Sequence, residues 1–363
     1  MDTSDPDITF DSDGVCNHCR AMEAAMAARA AGAATREADR ARLVELMKAE
    51  GRGRDYDCVI GVSGGVDSTH VAWLARREFG LRPLAVHFDN GWNDELAVHN
   101  IERIVKALDI DLHTHVVDWE EFRDLQLSFF KSHTSNLEMP TDHAILALLM
   151  DVAAARGVRF ILTGSNTATE GIMPAAWLHS NKDLRFLEAV HARFGSVPLR
   201  TYPRLGAAKF ARRALLRRIK AIPILDYVEY DKPAAMALAE RELGWRPYRF
   251  KHGESVFTRF FQCHILPHKF GFDKRKPHFS SLIASGQMTR DAALAALNEP
   301  LYRPEALEEE TEYVRKKLGM TRAEFDAYMA APPRSSLEYP NGLALHAAAR
   351  RVMGSLGGVA RRF

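Results

Sequence analysis

The chain has 363 residues, enough to bury a large core, and it carries 49 lysine and arginine residues against 47 aspartate and glutamate residues. This near balance of charge gives no basis for bulk attraction to nucleic acid or to an anionic membrane. The N-terminus lacks a basic start followed by an apolar core, and no run approaches the ~20 apolar residues of a membrane span. We therefore expect a cytoplasmic protein without disulfides.

The first 20 residues are polar and turn-rich, and they end in a C-x-x-C pair formed by Cys16 and Cys19. Two thiolates at this spacing are half of a zinc site, because tetrahedral zinc takes four ligands. His18 or a residue outside this segment would have to complete the site; otherwise the segment carries a reduced pair. Cys58 and Cys263 are interpreted as buried small hydrophobic residues. We call this segment the cysteine knuckle.

Residues 21–54 have helical composition, end in two glycines and predict a linking helix. From Tyr56 onward, short β-rich runs alternate with helical ones, which is typical of an α/β fold with a parallel sheet and helices on both faces. These runs define a predicted catalytic core over residues 55–166. The predicted strands are Cys58–Val62, Pro83–Phe88, Leu112–Val117 and Arg159–Thr163, and the predicted helices lie near residues 67–79, 94–108, 119–131 and 142–156.

The alternation stops after Gly164 in this interpretation. Residues 167–302 are expected to bind the substrate and complete the site. They include a basic helical stretch, Lys209–Lys220, whose charges form either a solvated face or a contact with an anionic substrate. Residues 303–363 are predicted to form a helical capping segment.

A glycine-rich turn separates the first predicted strand from the helix that follows it. The turn reads Ser63-Gly64-Gly65-Val66-Asp67-Ser68. Glycines let the backbone approach a ligand, and the free N–H groups at a helix start attract an oxyanion. The Walker A pattern and its lysine are missing, and so is the dinucleotide pattern G-x-G-x-x-G. The turn therefore predicts a phosphate site of another kind.

This turn resembles the S-G-G-x-D-S pyrophosphate loop, or PP-loop, shared by GMP, asparagine and NAD synthetases and by tRNA thiolases. The resemblance implies an adenine nucleotide alpha-hydrolase-like fold. It also implies that the loop holds the β and γ phosphates of ATP while a substrate oxygen attacks the α phosphorus.

Two further strand ends point to the same edge of the sheet. Ligands in open α/β sheets bind outside the carboxyl ends of the strands, so we expect the residues there to contribute to ATP binding. Taken alone, His87 is equally consistent with a structural role. The expected residues are Val86, His87, Asp89 and Asn90 after the second strand, and Gly164, Ser165 and Asn166 after the fourth.

A dense set of motifs follows between residues 244 and 302. Together with the phosphate loop and the opening Met1-Asp2-Thr3-Ser4-Asp5-Pro6, it resembles the N-acetyl sugar amidotransferase family of bacterial surface-polysaccharide synthesis. The resemblance covers about residues 1–302. The motifs are Gly244-Trp245-Arg246-Pro247-Tyr248, Lys251-His252-Gly253-Glu254-Ser255, Phe257-Thr258-Arg259-Phe260-Phe261-Gln262, Ile265-Leu266-Pro267-His268-Lys269-Phe270-Gly271, Asp273-Lys274-Arg275-Lys276, Ser285-Gly286-Gln287-Met288-Thr289-Arg290 and Pro300-Leu301-Tyr302.

The resemblance implies that an acetamido group on a nucleotide-activated sugar becomes an acetamidino group during synthesis of lipopolysaccharide O-antigen or a related surface glycan. AMP is transferred to the amide oxygen, and ammonia then displaces AMP. Mg²⁺ and cationic side chains must offset charge on the transferring phosphoryl group. The candidate cations, each alternatively a solvated surface charge, are Lys251, Arg259, Lys269, Lys274 and Arg275.

Four further side chains are candidates for chemistry. Asp67 and Glu170 are the expected Mg²⁺ ligands, although Asp67 alternatively caps its helix. Asp142 and His143 lie at a predicted helix start, where a cap and a substrate or catalytic role are both open.

Ammonia is expected to come from outside the chain. A glutamine-hydrolysing domain needs a nucleophilic cysteine at a mature N-terminus or in a strand-to-helix elbow, and the sequence offers neither. The family resemblance implies a partner pair similar to the glutaminase and cyclase subunits of histidine biosynthesis. It also implies a second C-x-x-C just ahead of the Met-Asp-Thr run at which this sequence begins, so the first half of a zinc site is expected to be missing.

Two rival functions are considered. A tRNA-thiolating PP-loop enzyme would need a catalytic cysteine or iron–sulfur ligands beside the ATP site, and no C-x-x-C follows the phosphate loop. A non-catalytic nucleotide-binding regulatory subunit would have no need of an intact loop. The sequence therefore favours an ATP-dependent N-acetyl sugar amidotransferase without direct affinity for membrane or nucleic acid.

Overall fold

A computed structural model describes residues 1–248 and 253–344. Five parallel strands form one sheet in the order β3-β2-β1-β4-β5. The predicted α/β fold with a parallel sheet is confirmed. The strands are β1 (Cys58–Gly61), β2 (Pro83–Asp89), β3 (Asp111–Val116), β4 (Phe160–Thr163) and β5 (Lys220–Pro223).

The central strand β1 is apolar on both faces because a hydrophobic core lies on each side of the sheet. Val59 belongs to one core, together with aromatic side chains such as Phe122 and Phe129. Ile60 points the opposite way, into a second core with Val71 and other aliphatic residues. Helices therefore cover both faces of the sheet, as the sequence predicted.

The expected end of the alternation after Gly164 is wrong, because a fifth strand follows. The stretch predicted as a continuous basic helix turns at Arg218, whose backbone has φ +52°, and Lys220 begins β5. β5 has four residues, lies at the edge of the sheet and buries Ile222 alone. A short edge strand with a charged start carries little of the hydrophobic pattern by which strands are recognised.

The linking segment is two helices that meet at Gly32, rather than one. Elsewhere the helices predicted between and around the first four strands are confirmed. The helices before residue 200 are α1 (Asn17–Ala31), α2 (Ala33–Glu50), α3 (Val66–Trp73, continued by a π-helical turn, Leu74–Glu78), α4 (Glu95–Leu108), α5 (Trp119–Ser132), α6 (Met139–Ala155), α7 (Thr167–Glu170) and α8 (Leu184–Phe194).

The rest of the described chain is mostly helical and completes the core that contains Val59. Val314, Phe325 and Tyr328 are buried there. None of the described helices is long and apolar enough to cross a membrane. The later helices are α9 (Ala207–Ala211, continued by a π-helical turn, Arg212–Leu216), α10 (Lys232–Leu243), α11 (Val256–Phe260, continued by a π-helix, Phe261–Phe270), α12 (Arg275–Ala284), α13 (Arg290–Asn298), α14 (Pro304–Leu318) and α15 (Arg322–Ala330), with short 3-10 turns at Ile224–Tyr227 and Ser336–Glu338.

Candidate active site

The phosphate loop leaves β1 and enters α3 in a conformation that requires glycine. Gly64 has φ +80°, and a Cβ at this position would lie 2.8 Å from the Ala97 carbonyl oxygen. The Gly64 carbonyl is turned away from the phosphate side and accepts hydrogen bonds from Trp245 Nε1 (2.7 Å) and the Tyr248 hydroxyl (3.0 Å). Two aromatic residues of the C-terminal motifs therefore fix the backbone of the loop.

The hydroxyl groups of the loop form a small network. Ser68 Oγ accepts from Ser63 N at 3.3 Å and donates to Gly65 O at 3.0 Å, and Thr69 Oγ1 donates to Gly65 O at 2.7 Å. Helix α3 begins at Val66 after Gly65, without a side-chain cap. Its first-turn N–H groups therefore lack the usual internal partner and suit an anion.

We expect Trp245→Phe to weaken ATP use while leaving the protein folded. The substitution keeps the buried ring but removes the only N–H that the indole donates to Gly64 O. Freeing the loop backbone should raise the KM for ATP about 5-fold, because a lost hydrogen bond of this kind contributes roughly 1 kcal/mol.

The matched control is Trp73→Phe, in which the lost indole bond goes to the exposed Glu242 carboxylate instead. Steady-state kinetics at varied ATP concentration compare the two. Equal KM values for both variants would contradict the role given to Trp245.

His87 has a structural position at the end of β2. Its Nδ1 bonds Val62 O at 3.0 Å, and its Nε2 lies 3.0 Å from Asn93 Nδ2. Both ring nitrogens are thereby occupied within the protein, which fixes the neutral tautomer with the proton on Nδ1. His87 still lines the cavity described below, yet it has no nitrogen left for a phosphate. Of the two roles left open by the sequence, the structure supports the structural one.

The other residues after β2 divide between the cavity wall and the turn. Val86 and Asn90 line the cavity, and Asn90 Nδ2 donates to Thr141 Oγ1 at 3.0 Å. Asp89 lies outside the lining and holds the turn, accepting from Gly91 N and Asn93 Nδ2. The end of β2 thus forms part of the cavity wall, and the Asp89 carboxylate does not face the cavity.

The turn after β4 packs directly against the start of α3. A Cβ at Gly164 would lie 3.2 Å from Asp67 Cβ, so only glycine lets the two backbones approach. Ser165 Oγ is 2.9 Å from Thr163 Oγ1, and Asn166 Oδ1 caps α7 by accepting from Thr169 N at 2.8 Å. The two predicted turns therefore meet, as expected from a parallel sheet.

A cavity of about 650 Å³ opens beside the phosphate loop. The sheet contributes Gly61, Val62 and Ser63, and α6 contributes a polar end and an apolar wall. The C-terminal part of the chain closes the opposite side. Its lining residues are Glu254, Ser255, Thr258, Gln262, Cys263, Asp273, Lys274, Arg275, His278 and Leu301.

Three of the predicted phosphate-binding cations are engaged elsewhere. Arg259 forms a salt bridge with Glu310 (2.5 Å) and lies outside the cavity lining. Lys269 is buried and donates to the carbonyls of Tyr328 and Ala331, at the C-terminal end of α15. Arg275 is held by Asp273 at 2.7 Å and donates to Glu299 O at 2.7 Å. Their charges are satisfied within the fold, and of the three only Arg275 lines the cavity, so the structure gives the phosphate assignment of Arg259 and Lys269 no support.

Lys274 is different, because it lines the cavity and its ammonium makes no hydrogen bond or salt bridge within residues 1–248 and 253–344. Lys251, the fifth predicted cation, falls outside the residues that the structure describes.

Of the two carboxylates proposed for Mg²⁺, only one lines the cavity. The Asp67 carboxylate accepts a hydrogen bond from the Tyr230 hydroxyl and lies 3.8 Å from Lys232 Nζ, so it neither caps α3 nor lines the cavity. Glu170 does line the cavity, and so does Glu254, whose Oε1 is 3.4 Å from the Cβ position of Gly65. Mg²⁺ in nucleotide sites is typically held by one or two carboxylates plus phosphate oxygens and water. Glu170 and Glu254 fit that donor set.

Asp142 and His143 point to different sides of α6. His143 is fully buried, with Nδ1 2.8 Å from Asn181 O and Nε2 accepting from Leu205 N at 3.1 Å; burial lowers the pKa of its imidazole. The structure therefore gives no support to a catalytic role for His143. Asp142 faces the cavity, and its carboxyl accepts no hydrogen bond from any described residue.

The cysteine knuckle holds a reduced pair. Cys16 Sγ and Cys19 Sγ are 3.5 Å apart, and Cys19 N donates to Cys16 Sγ. His18, proposed to complete a zinc site, bonds Asp5 at 2.5 Å. The described residues contain no group of three or more His, Cys, Asp and Glu side chains suited to a metal ion. The structure therefore gives no support to zinc binding by this segment.

Comparison with known families agrees with the two halves of this site. Residues 54–222 match the asparagine synthase family, and residues 254–351 match the family described as "LPS biosynthesis protein WbpG-like, C-terminal domain". These two matches show that the chain is similar to asparagine synthases, which have a PP-loop core, and to lipopolysaccharide biosynthesis proteins. In this PP-loop protein, both matched regions contribute walls to the one cavity.

Individual relatives are distant. "Uncharacterized protein MJ1599" of Methanocaldococcus jannaschii is 28% identical over 122 residues, which are 33% of this chain and 42% of that protein, so the match spans less than half of its length. The NMN synthetase from Francisella tularensis has 12% identity and a TM-score of 0.34 and covers 79% of this chain and 97% of its own. The NH3-dependent NAD synthetase from Campylobacter jejuni has 14% identity and a TM-score of 0.29, and the match covers 59% of this chain and 99% of that one.

Sequence reasoning missed several residues of the site. Glu138 and Gln262 line the cavity and bond each other at 2.8 Å, and Trp245 and Tyr248 hold the phosphate loop. The two aromatic residues belong to a motif that the sequence did single out, but nothing in the sequence pairs them with Gly64. Glu138 carries no local signal beyond its place before a helix.

Proposed function

We propose that this PP-loop protein converts an acetamido group of a nucleotide-activated N-acetyl sugar into an acetamidino group, consuming ATP and ammonia and releasing AMP and pyrophosphate. The observation that carries the proposal is the single cavity between the phosphate loop and the WbpG-like region. An enzyme that adenylates its acceptor must bind ATP and the acceptor next to each other. In this cavity the phosphate loop would bind ATP, and the WbpG-like region would contact the acceptor.

Adenylation would overcome the low reactivity of the amide group. Its carbonyl is a weak electrophile and its oxygen a bad leaving group, whereas AMP is a good one. The loop amides around Gly65 would hold the departing pyrophosphate, since preorganised N–H groups stabilise developing negative charge. Mg²⁺, when bound near Glu170 and Glu254, would neutralise part of the charge on the leaving group.

Ammonia is proposed to reach the site from a separate glutaminase, passed on by a cyclase-like subunit. The thiols of Cys58 and Cys263 support this proposal because neither is activated. Burial raises the pKa of Cys58 far above its usual range, and burial raises the pKa of Cys263 to about 11. A glutaminase needs a thiolate nucleophile near neutral pH.

The Cys263 thiol also argues against a function in tRNA thiolation. Cys263 does line the cavity, where a thiolating enzyme would place a catalytic cysteine. It stays protonated near neutral pH, and the described lining contains no second cysteine for an iron–sulfur cluster or a persulfide relay. A purely regulatory role gives no reason for a cavity that extends beyond the phosphate loop.

Mass spectrometry tests the proposal directly. The purified protein is incubated with ATP, Mg²⁺, ¹⁵N-labelled ammonium chloride and a panel of nucleotide-activated N-acetyl sugars that includes diacetamido-uronic and nonulosonic acid derivatives. One sugar should gain the labelled nitrogen in place of oxygen, with one AMP formed for each amidine. Reactions with unlabelled ammonium identify the label, and the absence of labelled sugar across the panel would count against the proposal.

A further inference from the structure

One face of α6 forms the floor of the cavity and changes character along its length. Glu138, Thr141 and Asp142 lie at its N-terminal end, and Ile145 and Leu149 follow on the same face at helical spacing. The apolar part lies against β1, where Leu149 Cδ1 is 3.5 Å from the Cβ position of Gly61. The polar part is therefore the end of the floor at which a charged or hydrogen-bonding group of a ligand would be recognised.

Most charges around this polar end are already paired. Glu138 accepts a hydrogen bond from Gln262 at 2.8 Å, and Arg275 is held by Asp273. Apart from Glu170, which is considered above for Mg²⁺, two side chains are exceptions: the Asp142 carboxyl and the Lys274 ammonium. Neither makes a hydrogen bond or salt bridge with any residue in 1–248 or 253–344.

Asp142 and Lys274 nevertheless face the same space. Lys274 favours the charged form of Asp142 electrostatically, although the two are too far apart for a salt bridge. An anion and a cation held apart across a cavity suit a ligand that bridges them with both a donor and an acceptor.

We propose that Asp142 and Lys274 bind the acetamido group of the sugar, with Asp142 accepting from the amide N–H and Lys274 donating to the amide oxygen. This inference rests on the proposed function and specifies how its acceptor is held. A secondary amide presents its donor and its acceptor on neighbouring atoms, as the pair requires. A phosphate would satisfy Lys274 but would be repelled by Asp142.

The same arrangement assigns Asp142 a proton-transfer role. As the amide oxygen attacks the α phosphorus, the N–H electron pair forms a C=N bond, the proton passes to Asp142 and the bond from phosphorus to pyrophosphate breaks. Lys274 offsets charge on the oxygen during the attack. When ammonia later adds to carbon, Asp142 returns its proton to the imidate nitrogen and the added nitrogen releases one proton to solvent. AMP then leaves with the C–O electron pair, and an amidinium ion remains.

The surroundings of Asp142 suit a group that accepts and returns a proton. Its side chain is exposed towards the cavity, yet nearby protein atoms desolvate the carboxyl, and this desolvation together with the Glu138 carboxylate raises the pKa of Asp142 to about 7, against the opposing effect of Lys274. Tyr202 packs nearby with its hydroxyl on Pro140 O and remains neutral, since burial raises its pKa. Proton transfer is most efficient when the pKa lies near the working pH.

The test separates the adenylation half-reaction from amidation. ATP–pyrophosphate exchange is measured without ammonia, in the presence of the nucleotide sugar that forms amidine in the preceding experiment, for wild type, Asp142→Asn and Lys274→Met. Both variants should lose about 10²-fold in sugar-dependent exchange, in the range of general acid–base effects. ATP affinity, from calorimetry with a non-hydrolysable analogue, should change less than about 3-fold, a difference under 1 kcal/mol.

The pH profile adds a readout that a structural role would not move. The active form of Asp142 is the carboxylate, so wild-type exchange should rise with pH through about 7, and this limb should vanish in Asp142→Asn. Matched controls are Asp109→Asn, at an exposed left-handed position, and Lys276→Met, whose lysine pairs with Asp2. Both should keep wild-type exchange.

Three outcomes would overturn the inference. Unchanged exchange in Asp142→Asn and Lys274→Met would show that the pair does not bind the amide. A large loss of ATP affinity in Lys274→Met would make that lysine a phosphate ligand, and a raised Mg²⁺ requirement in Asp142→Asn would make the carboxylate a metal ligand. The proposed function survives each of these results; it fails only if wild type shows no sugar-dependent exchange, and the inference then fails with it.

Discussion

Gly64→Ala is expected to lower kcat/KM for ATP by about 10²-fold, the scale observed when an oxyanion-stabilising donor is displaced. A Cβ at this residue would lie 2.8 Å from the Ala97 carbonyl and 2.9 Å from the Tyr248 hydroxyl. The φ of +80° adds roughly 1–2 kcal/mol of strain for an L-residue. The loop must therefore shift, and its N–H groups would no longer all point at the pyrophosphate.

Gly286→Ala is the control that isolates this effect. Gly286 has φ +74° with no atom within 4 Å of its Cβ position, so alanine brings the same backbone strain without a clash. The control should lower the free energy of unfolding by about 1 kcal/mol and leave ATP kinetics unchanged. If the two variants had equal kcat/KM values, the shape given to the phosphate loop would be wrong.

The second large effect is on stability. Lys269→Met should lower the free energy of unfolding by about 3 kcal/mol. The substitution removes one charged donor, and the two carbonyl oxygens that it bonds are then left without a hydrogen bond in a buried environment. Lys269 donates to the carbonyls of Tyr328 and Ala331 at the end of α15, where the helix dipole also favours a cation. Burial lowers the pKa of this lysine.

Denaturant unfolding and ATP kinetics together distinguish the two roles considered for Lys269. The control is Lys276→Met, whose partly exposed pair with Asp2 is expected to contribute less than about 1 kcal/mol. If Lys269→Met raised the KM for ATP while leaving the unfolding midpoint in place, the original phosphate assignment would be restored.

The phosphate loop was predictable because its signal is local. Six consecutive residues specify a strand, a glycine turn and a helix start, and the physics of anion binding at a helix N-terminus needs nothing more distant. The first four strands were predictable for a similar reason, since each is a compact apolar run between turn residues. β5 was missed because Lys220 and Pro223 interrupt its pattern and the edge position buries little of it.

The charged residues were less predictable because their partners are distant in sequence. Arg259 pairs with Glu310, 51 residues later, and Lys269 bonds carbonyls 59 and 62 residues later. Composition alone suggested that these cations face an anionic ligand, whereas helices α14 and α15 satisfy them. Lys274 kept its predicted place at the cavity because no later element reaches it in the described structure.

Histidines show the same limitation. His87 and His143 sit next to predicted site residues, and only the fold reveals that backbone atoms or an amide occupy both nitrogens of each ring. Asp142, one residue from His143 on α6, projects about 100° further round the helix and keeps its carboxyl for the cavity. Helical geometry alone sets this difference, once the start of α6 is known.

The identity of the phosphorus-containing products tests the central claim most directly. Phosphorus-31 NMR of a reaction containing the protein, ATP, Mg²⁺, ammonium and the reactive nucleotide sugar should show AMP and inorganic pyrophosphate growing in equal amounts. This result requires attack at the α phosphorus while the loop around Gly64 and Gly65 retains the leaving diphosphate. The appearance of ADP and orthophosphate instead would contradict the account.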